Sequence, residues 1–162
     1  MTKKLDCLID IQGVVPHRDG MLLVDRLEER CEDFVAVGAS IGPDNLFARA
    51  DGVPAWVGIE YMAQAIAAWA GCRAMARGEP ARIGFLLGTR RYQCDGETFQ
   101  FGTRLRIEAR REFFADNGLG MFSCRILVAG VERANAQLSV YEPPDAVAPQ
   151  PERIHLETSS DA

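Results

Sequence analysis

The sequence predicts an α+β domain in which one long apolar helix is enclosed by a strongly twisted antiparallel sheet. Three observations carry that expectation. A nearly continuous apolar segment between Gly52 and Arg77 reads as a buried helix. Two later stretches, Phe99 to Phe113 and Phe122 to Val140, alternate apolar and polar residues with the period of a half-buried strand. Asp116-Asn117-Gly118 and Ala129-Gly130 then supply turn residues that tolerate positive φ at hairpin spacing.

Taken in order, Phe34 to Ile41 sets Val35, Val37, Ala39 and Ile41 on one side, predicting a strand with one buried face. An irregular connection leads to the helix, where Glu60 sits in the first turn. Glu60, Gln64 and Arg73 interrupt the apolar run and leave it short of the roughly twenty residues that a membrane span needs. Ile83 to Leu87 predicts a shorter strand. Phe99, Phe101, Leu105, Ile107, Ala109 and Phe113 predict one long strand with its apolar face on the core. Phe122, Cys124, Ile126 and Val128, then Ala134, Ala136, Leu138 and Val140, complete an antiparallel meander. A buried helix followed by a sheet able to wrap round it is the hotdog arrangement. The expected organisation is a single hotdog domain over residues 1–142 and a flexible, Pro-rich C-terminal tail over 143–162.

Composition narrows the function classes. At 162 residues, 48% hydrophobic and 25% charged, the chain is sized and balanced for one ordinary globular domain. A net charge of -5 argues against nucleic acid as a partner, because phosphate contacts need a concentrated basic face. The first residues, Met1 to Cys7, carry lysines with no apolar run behind them, so no secretory signal is read and a cytoplasmic location is expected. Cys7, Cys31, Cys72, Cys94 and Cys124 are odd in number and scattered, which predicts reduced thiols used for packing. With no glycine-rich phosphate loop, no Cys-His metal spacing and no Ser-His-Asp order, neither cofactor nor metal is expected.

Glu60 is the most informative residue. A carboxylate drawn out of water costs free energy unless it is paired or used. The bland alternative is a helix-start carboxylate that gains about 0.3 to 1 kcal/mol from the dipole. Gln64, one turn on, either orients Glu60 or bonds an interface backbone group. Tyr61, Met62 and Trp69 read as packing. His17, between Pro16 and Arg18, reads as a structural histidine near the start of the fold. Arg90 and Arg91, with Arg104, Arg106 and Arg110, form a candidate basic patch for an acidic carrier protein or a phosphopantetheine phosphate, or else a solvated strand face.

Pro16-His17-Arg18 with Leu22-Leu23-Val24-Asp25-Arg26 resembles the N-terminal signature of bacterial 3-hydroxyacyl-[acyl carrier protein] dehydratases. Glu60-Tyr61-Met62-Ala63-Gln64 resembles their Glu-Ala-Met-Ala-Gln helix start, and Gly84-Phe85-Leu86-Leu87 and the closing strands follow in the same order, so the likeness covers roughly residues 14 to 141. With Trp56-Val57-Gly58-Ile59, the combination looks closest to the small dehydratase-like proteins of aryl-polyene and related polyketide clusters. The resemblance implies a homodimeric or heterodimeric hotdog protein acting on an acyl thioester of acyl carrier protein or CoA. It implies a histidine that takes the α-proton, a carboxylate that helps the β-hydroxyl leave, and a backbone N–H that polarises the thioester. Glu60 falls on that carboxylate and Ala55 on the glycine whose N–H faces the carbonyl. Gln64, Leu46 and Phe47 are then expected near the substrate.

One departure matters. Aligned without gaps from Glu60, the family's Gly-His-Phe-Pro becomes Asn45-Leu46-Phe47-Ala48, so Leu46 replaces the catalytic histidine. A positioned base is worth about a hundredfold to ten-thousandfold, so its loss raises the barrier by roughly 3 to 5 kcal/mol. Four readings follow. Asp51, His17 or a water held by Glu60 replaces the base; a partner subunit supplies the histidine; the chain is a thioesterase in which Glu60 activates water; or it is a non-catalytic acyl-binding subunit of a heteromeric dehydratase.

Overall fold

The computed structural model describes residues 9–144. In chain order the strands are β1 (Arg26–Cys31), β2 (Phe34–Ser40), β3 (Gly52–Pro54), β4 (Phe85–Cys94), β5 (Thr98–Gln100), β6 (Arg104–Phe114), β7 (Leu119–Val128) and β8 (Val131–Tyr141). The long helix α1 spans Gly58–Ala76 and is entered through a 3-10 turn over Ala55–Val57. Six strands form one sheet in the order β1-β2-β6-β7-β8-β4, and β3 and β5 pair separately. All these pairings are antiparallel. A helix enclosed by such a sheet is the hotdog architecture that the sequence predicts.

Pattern explains the packing. Val35, Val37 and Ala39 on β2 lie opposite Ala109, Ile107 and Leu105 on β6. Ile107 in turn lies opposite Ile126, and Phe122 opposite Leu138. These residues form one buried cluster with Tyr61, Met62, Ala65, Ala68 and Trp69 of the helix. Each large aliphatic or aromatic side chain so buried contributes about 1.5–3 kcal/mol. The helix is apolar on every side because the sheet covers one flank and the N-terminal segment another. Val14 and Val15 of that segment are both 1% exposed.

The structure revises four details of the strand assignment. The single strand expected over Phe99 to Phe113 is two strands: Phe99 pairs with Val53 in the small sheet, and Gly102, at φ 85, turns the chain into β6. Apolar alternation continues through this corner, so periodicity alone does not reveal it. The strand expected at Ile83 to Leu87 begins at Phe85 and runs on through polar residues to Cys94. Two strands had no sequence signal, β1 because Arg-Leu-Glu-Glu-Arg-Cys lacks alternation and β3 because it is only 3 residues long. Finally, β2 is buried on both faces, since Arg26 and Glu28 roof its outer side so closely that a Cβ on Gly38 would lie 2.4 Å from the Arg26 guanidinium carbon.

The hairpin turns form where expected. Ala129 at φ 49 and Gly130 at φ 78 make the two-residue β7–β8 connection, and Gly118 at φ 93 closes the β6–β7 turn. Most of the tail predicted from 143 onward, together with Cys7 and His155, lies outside the described residues. Among the described residues no helix is long and apolar enough to cross a membrane.

Gly71 fixes how closely the N-terminal segment approaches α1, because a Cβ there would lie 1.9 Å from the Val14 carbonyl oxygen. We therefore expect Gly71→Ala to destabilise the fold by about 1–3 kcal/mol through forced backbone displacement. Urea unfolding checks this, and an unchanged midpoint would contradict the packing.

Candidate active site

The site is assembled from two segments distant in sequence. After a 3-10 turn at Ile11–Gly13, buried Val14 and Val15 lead into Pro16-His17-Arg18. The Arg18 guanidinium donates to the carbonyls of Gln12, Val15 and His17, which holds this bend in place. The second segment is the first two turns of α1, which carry Glu60 and Gln64.

Gln64 joins the two. It is fully buried, and all its hydrogen-bonding capacity on this side is in use. Its Oε1 accepts from the backbone N–H of Leu23 at 2.8 Å and of Val24 at 3.4 Å. Its Nε2 donates to the Met21 carbonyl at 2.7 Å and to Glu60 Oε1 at 3.1 Å. The one side chain thus bonds Glu60 and three backbone groups of its own chain. The Glu60 carboxylate takes its hydrogen bond from this amide, and no side-chain cap bond is made at the start of α1.

His17 Nε2 lies 3.7 Å from Glu60 Oε1, and both side chains are about one-third exposed, at 30% and 34%. They line one end of a cavity of about 250 Å3 whose walls are otherwise mostly apolar, including Ala63, Ile66, Ala67, Phe122 and Val140. His17 Nδ1 is buried with no hydrogen-bond partner among the described residues, so the histidine is not the satisfied structural residue its sequence context suggests. Burial pushes the His17 imidazole below its ordinary value of 6.5, Glu60 opposes that shift, and Arg18 adds to it. The ring is thus held neutral near pH 7, with one nitrogen free to accept a proton.

The remaining expected residues fall elsewhere. Asp51 is exposed, accepts from the Phe101 N–H through its backbone carbonyl, and does not line the cavity. Leu46 is 58% exposed and also lies off the cavity wall. Phe47 packs edge-on against Trp56, with ring centroids 5.7 Å apart. Asn45 donates to the Tyr61 hydroxyl, which burial pushes up to about 12. Ala55 departs from expectation, since its N–H donates at 2.8 Å to the Glu97 carbonyl and is not free to polarise a thioester. Arg90 and Arg91 are exposed on β4. Of the arginines grouped with them, Arg106 is matched by Glu28, Glu29 and Glu108, so that sheet face is mixed in charge.

Sequence reasoning missed the other end of the cavity, where Arg82, Tyr141 and Glu142 meet. Burial raises Glu142 above the usual carboxylate range, partly offset by Arg82, Arg73 and Arg77. No local pattern signals this convergence of a loop with the end of β8. Among the described residues no group of three or more His, Cys, Asp or Glu side chains could hold a metal ion.

The chain is thus a hotdog-fold protein that presents a carboxylate and an imidazole to one mostly apolar cavity. Over residues 9–150 the chain matches the ApeP-like dehydratases, described as ApeP dehydratase, and it belongs to that family. It is similar to a chain of the dehydratase heterocomplex ApeI:P from Xenorhabdus doucetiae, with 28% identity, a TM-score of 0.79, and 85% of this chain and 93% of that chain covered. Two more distant matches share the fold. One is a hypothetical thioesterase with coenzyme A from Streptococcus pneumoniae TIGR4, at 10% identity and TM-score 0.57, covering 76% of this chain and 88% of that one. The other is the E. coli PaaI protein from the phenylacetic acid degradation operon, at 10% identity and TM-score 0.55, covering 71% and 80%. No curated protein sequence matches.

Replacing Gln64 by Leu keeps much of its volume but removes the partner of the part-buried Met21 carbonyl and leaves the Leu23 N–H buried without one. The expected loss is about 2–4 kcal/mol, with amide exchange at Leu23 and Val24 at least tenfold faster. Urea unfolding and hydrogen exchange read both, and parent-like protection at these two amides would contradict the tether.

Proposed function

We propose that this chain dehydrates 3-hydroxyacyl thioesters of acyl carrier protein, with His17 and Glu60 as the proton-transferring pair. The observation that carries the reading is the 3.7 Å approach of His17 Nε2 to Glu60 Oε1 at the end of an apolar cavity. An acyl chain seated along Ala63, Ile66 and Ala67 would present the carbons next to its thioester to this pair. Neutral His17 takes the α-proton, the electron pair forms the Cα–Cβ double bond, and the β-hydroxyl leaves. Glu60 conveys the proton back to the departing oxygen, so water is released and no outside acid or base is consumed. Closing the gap between the two side chains to hydrogen-bonding distance requires a shift of about 1 Å. Family membership and the ApeI:P likeness support aryl-polyene synthesis as the setting.

The chain works, in this reading, beside a second hotdog subunit. β4 is an edge strand bonded only to β8, and Phe85, Leu86 and Leu87 on it are 53%, 43% and 57% exposed. An apolar unpaired edge invites another strand, and Phe85 and Leu86 also line the cavity. A subunit paired there would close the cavity rim. The ApeI:P match, a dehydratase heterocomplex, supports a heteromeric partner.

Mass spectrometry of a 3-hydroxyacyl-carrier protein, incubated with the chain and with its neighbouring hotdog subunit, is expected to show loss of one water. Glu60→Gln and His17→Gln should each slow this by about a hundredfold to ten-thousandfold. Full activity in both variants would overturn the assignment, and release of free thiol without an enoyl product would replace it with thioesterase chemistry.

The pH dependence follows from the downward shift at His17. Burial favours the uncharged ring, so the folded protein binds its proton less readily than the ordinary value of 6.5 implies. Activity is therefore expected to persist above pH 6.5 and to fall as pH drops through a lower midpoint. His17→Gln should remove this acid limb from kcat/KM, and a limb centred above 6.5 would contradict the role of His17 as base.

A further inference from the structure

At the far end of α1 a separate pocket of about 440 Å3 opens between the helix and the sheet edge, where Arg30, Arg73, Arg77 and Arg111 gather around Trp69. Three elements contribute: Arg30 comes from β1, Arg73 and Arg77 from the end of α1, and Arg111 from β6. Among the described residues Glu32 is the only carboxylate lining the pocket. Asp33 pairs with Arg111 from outside it, and Glu142 acts on Arg73 and Arg77 from the other side of the helix. Counting all three acids against the four arginines still leaves one guanidinium in excess. Among the described residues Arg30, Arg73 and Arg77 make no ion pair, whereas Arg106 on the outer sheet face meets three carboxylates.

The arginines are also held in place. The Arg73 guanidinium lies 5.5 Å from the Trp69 ring centroid and 4.9 Å from that of Phe114, and the Arg111 guanidinium lies 5.6 Å from Trp69. Trp69 is itself anchored by an indole N–H bond to the Glu32 carbonyl at 2.9 Å. Crowding shows in Arg73, which burial, and then Arg77, Arg111 and Arg82, push below the ordinary arginine value while Glu142 opposes them. The helix dipole accounts for cations at the end of α1. It does not account for Arg30 and Arg111, which arrive from two strands. Like charges brought together with too few counter-ions are stabilised by a bound anion.

We propose that this pocket binds a phosphate ester. Guanidinium forks match the geometry of phosphate oxygens, and the space exceeds what a bare phosphate fills, leaving room for the organic part of the ester. A phosphorylated pantetheine arm and free inorganic phosphate share this chemistry and differ in that organic part. The site is distinct from His17 and Glu60, and its test does not depend on any activity there.

The chain has two tryptophans, so in a Trp56→Phe background Trp69 is the sole emitter. It lines both this pocket and the His17–Glu60 cavity, and variants of Arg30 and Arg77, which do not line that cavity, assign a response to this pocket. Titration with phosphopantetheine at constant ionic strength is expected to give a saturable change, with inorganic phosphate at least tenfold weaker and unphosphorylated pantetheine silent. Arg30→Gln and Arg77→Gln should each weaken the phosphopantetheine response about tenfold or more, while Arg49→Gln leaves it unchanged. Thermal unfolding of each variant confirms that it is folded, and either of the two carries the test if the other is not. No saturable response, an equal response to pantetheine, or unchanged affinity in both variants would overturn the site. Equal affinity for inorganic phosphate would overturn the ester as its ligand.

Discussion

The side-chain amide of Gln64 holds the N-terminal segment, the helix and the acidic group of the cavity in one arrangement. Its oxygen and nitrogen reach Leu23, Val24, Met21 and Glu60 at once, and the residue has no exposed surface. An amide with unmet bonds at that depth would cost several kcal/mol, so the segment that carries His17 is tied to the helix that carries Glu60. The placement of the imidazole opposite the carboxylate depends on this tether and on the close approach that Gly71 permits to Val14.

That arrangement changes the meaning of Leu46. Measured against the dehydratases the chain resembles, position 46 lacks the base, and the sequence alone makes the protein look crippled. Folding brings His17 to Glu60 from 43 residues away, while Leu46 is 58% exposed and does not line the cavity. Ala55 moves in the opposite sense, because its N–H, expected to face substrate, is spent on Glu97 in the small sheet. Ala55 is therefore not free for the part that the resemblance gives it.

Local signals made the helix, β2, the β6–β7–β8 meander and their turns legible, because period, turn chemistry and burial all point the same way there. Where they part company the reading failed. The corner at Gly102 preserves apolar alternation while taking the chain from the small sheet to the large one, and β1 is a charged edge that carries almost no period at all. Glu60 was legible as a costly carboxylate in an apolar helix, and Gln64 as its neighbour one turn on. The partner of Glu60 was not, since a contact between residues 17 and 60 leaves no mark in either local window. Arg82 and Glu142, at the other end of the cavity, were hidden for the same reason.

The most direct measurement is the titration of the His17 imidazole by NMR, in the parent chain and in Glu60→Gln. The account predicts a midpoint below 6.5 in the parent, set by burial, and a further fall in the variant, because the Glu60 charge that favours the protonated ring has been removed. A midpoint at or above 6.5, or one indifferent to Glu60→Gln, would mean that the two groups do not share a partly buried site.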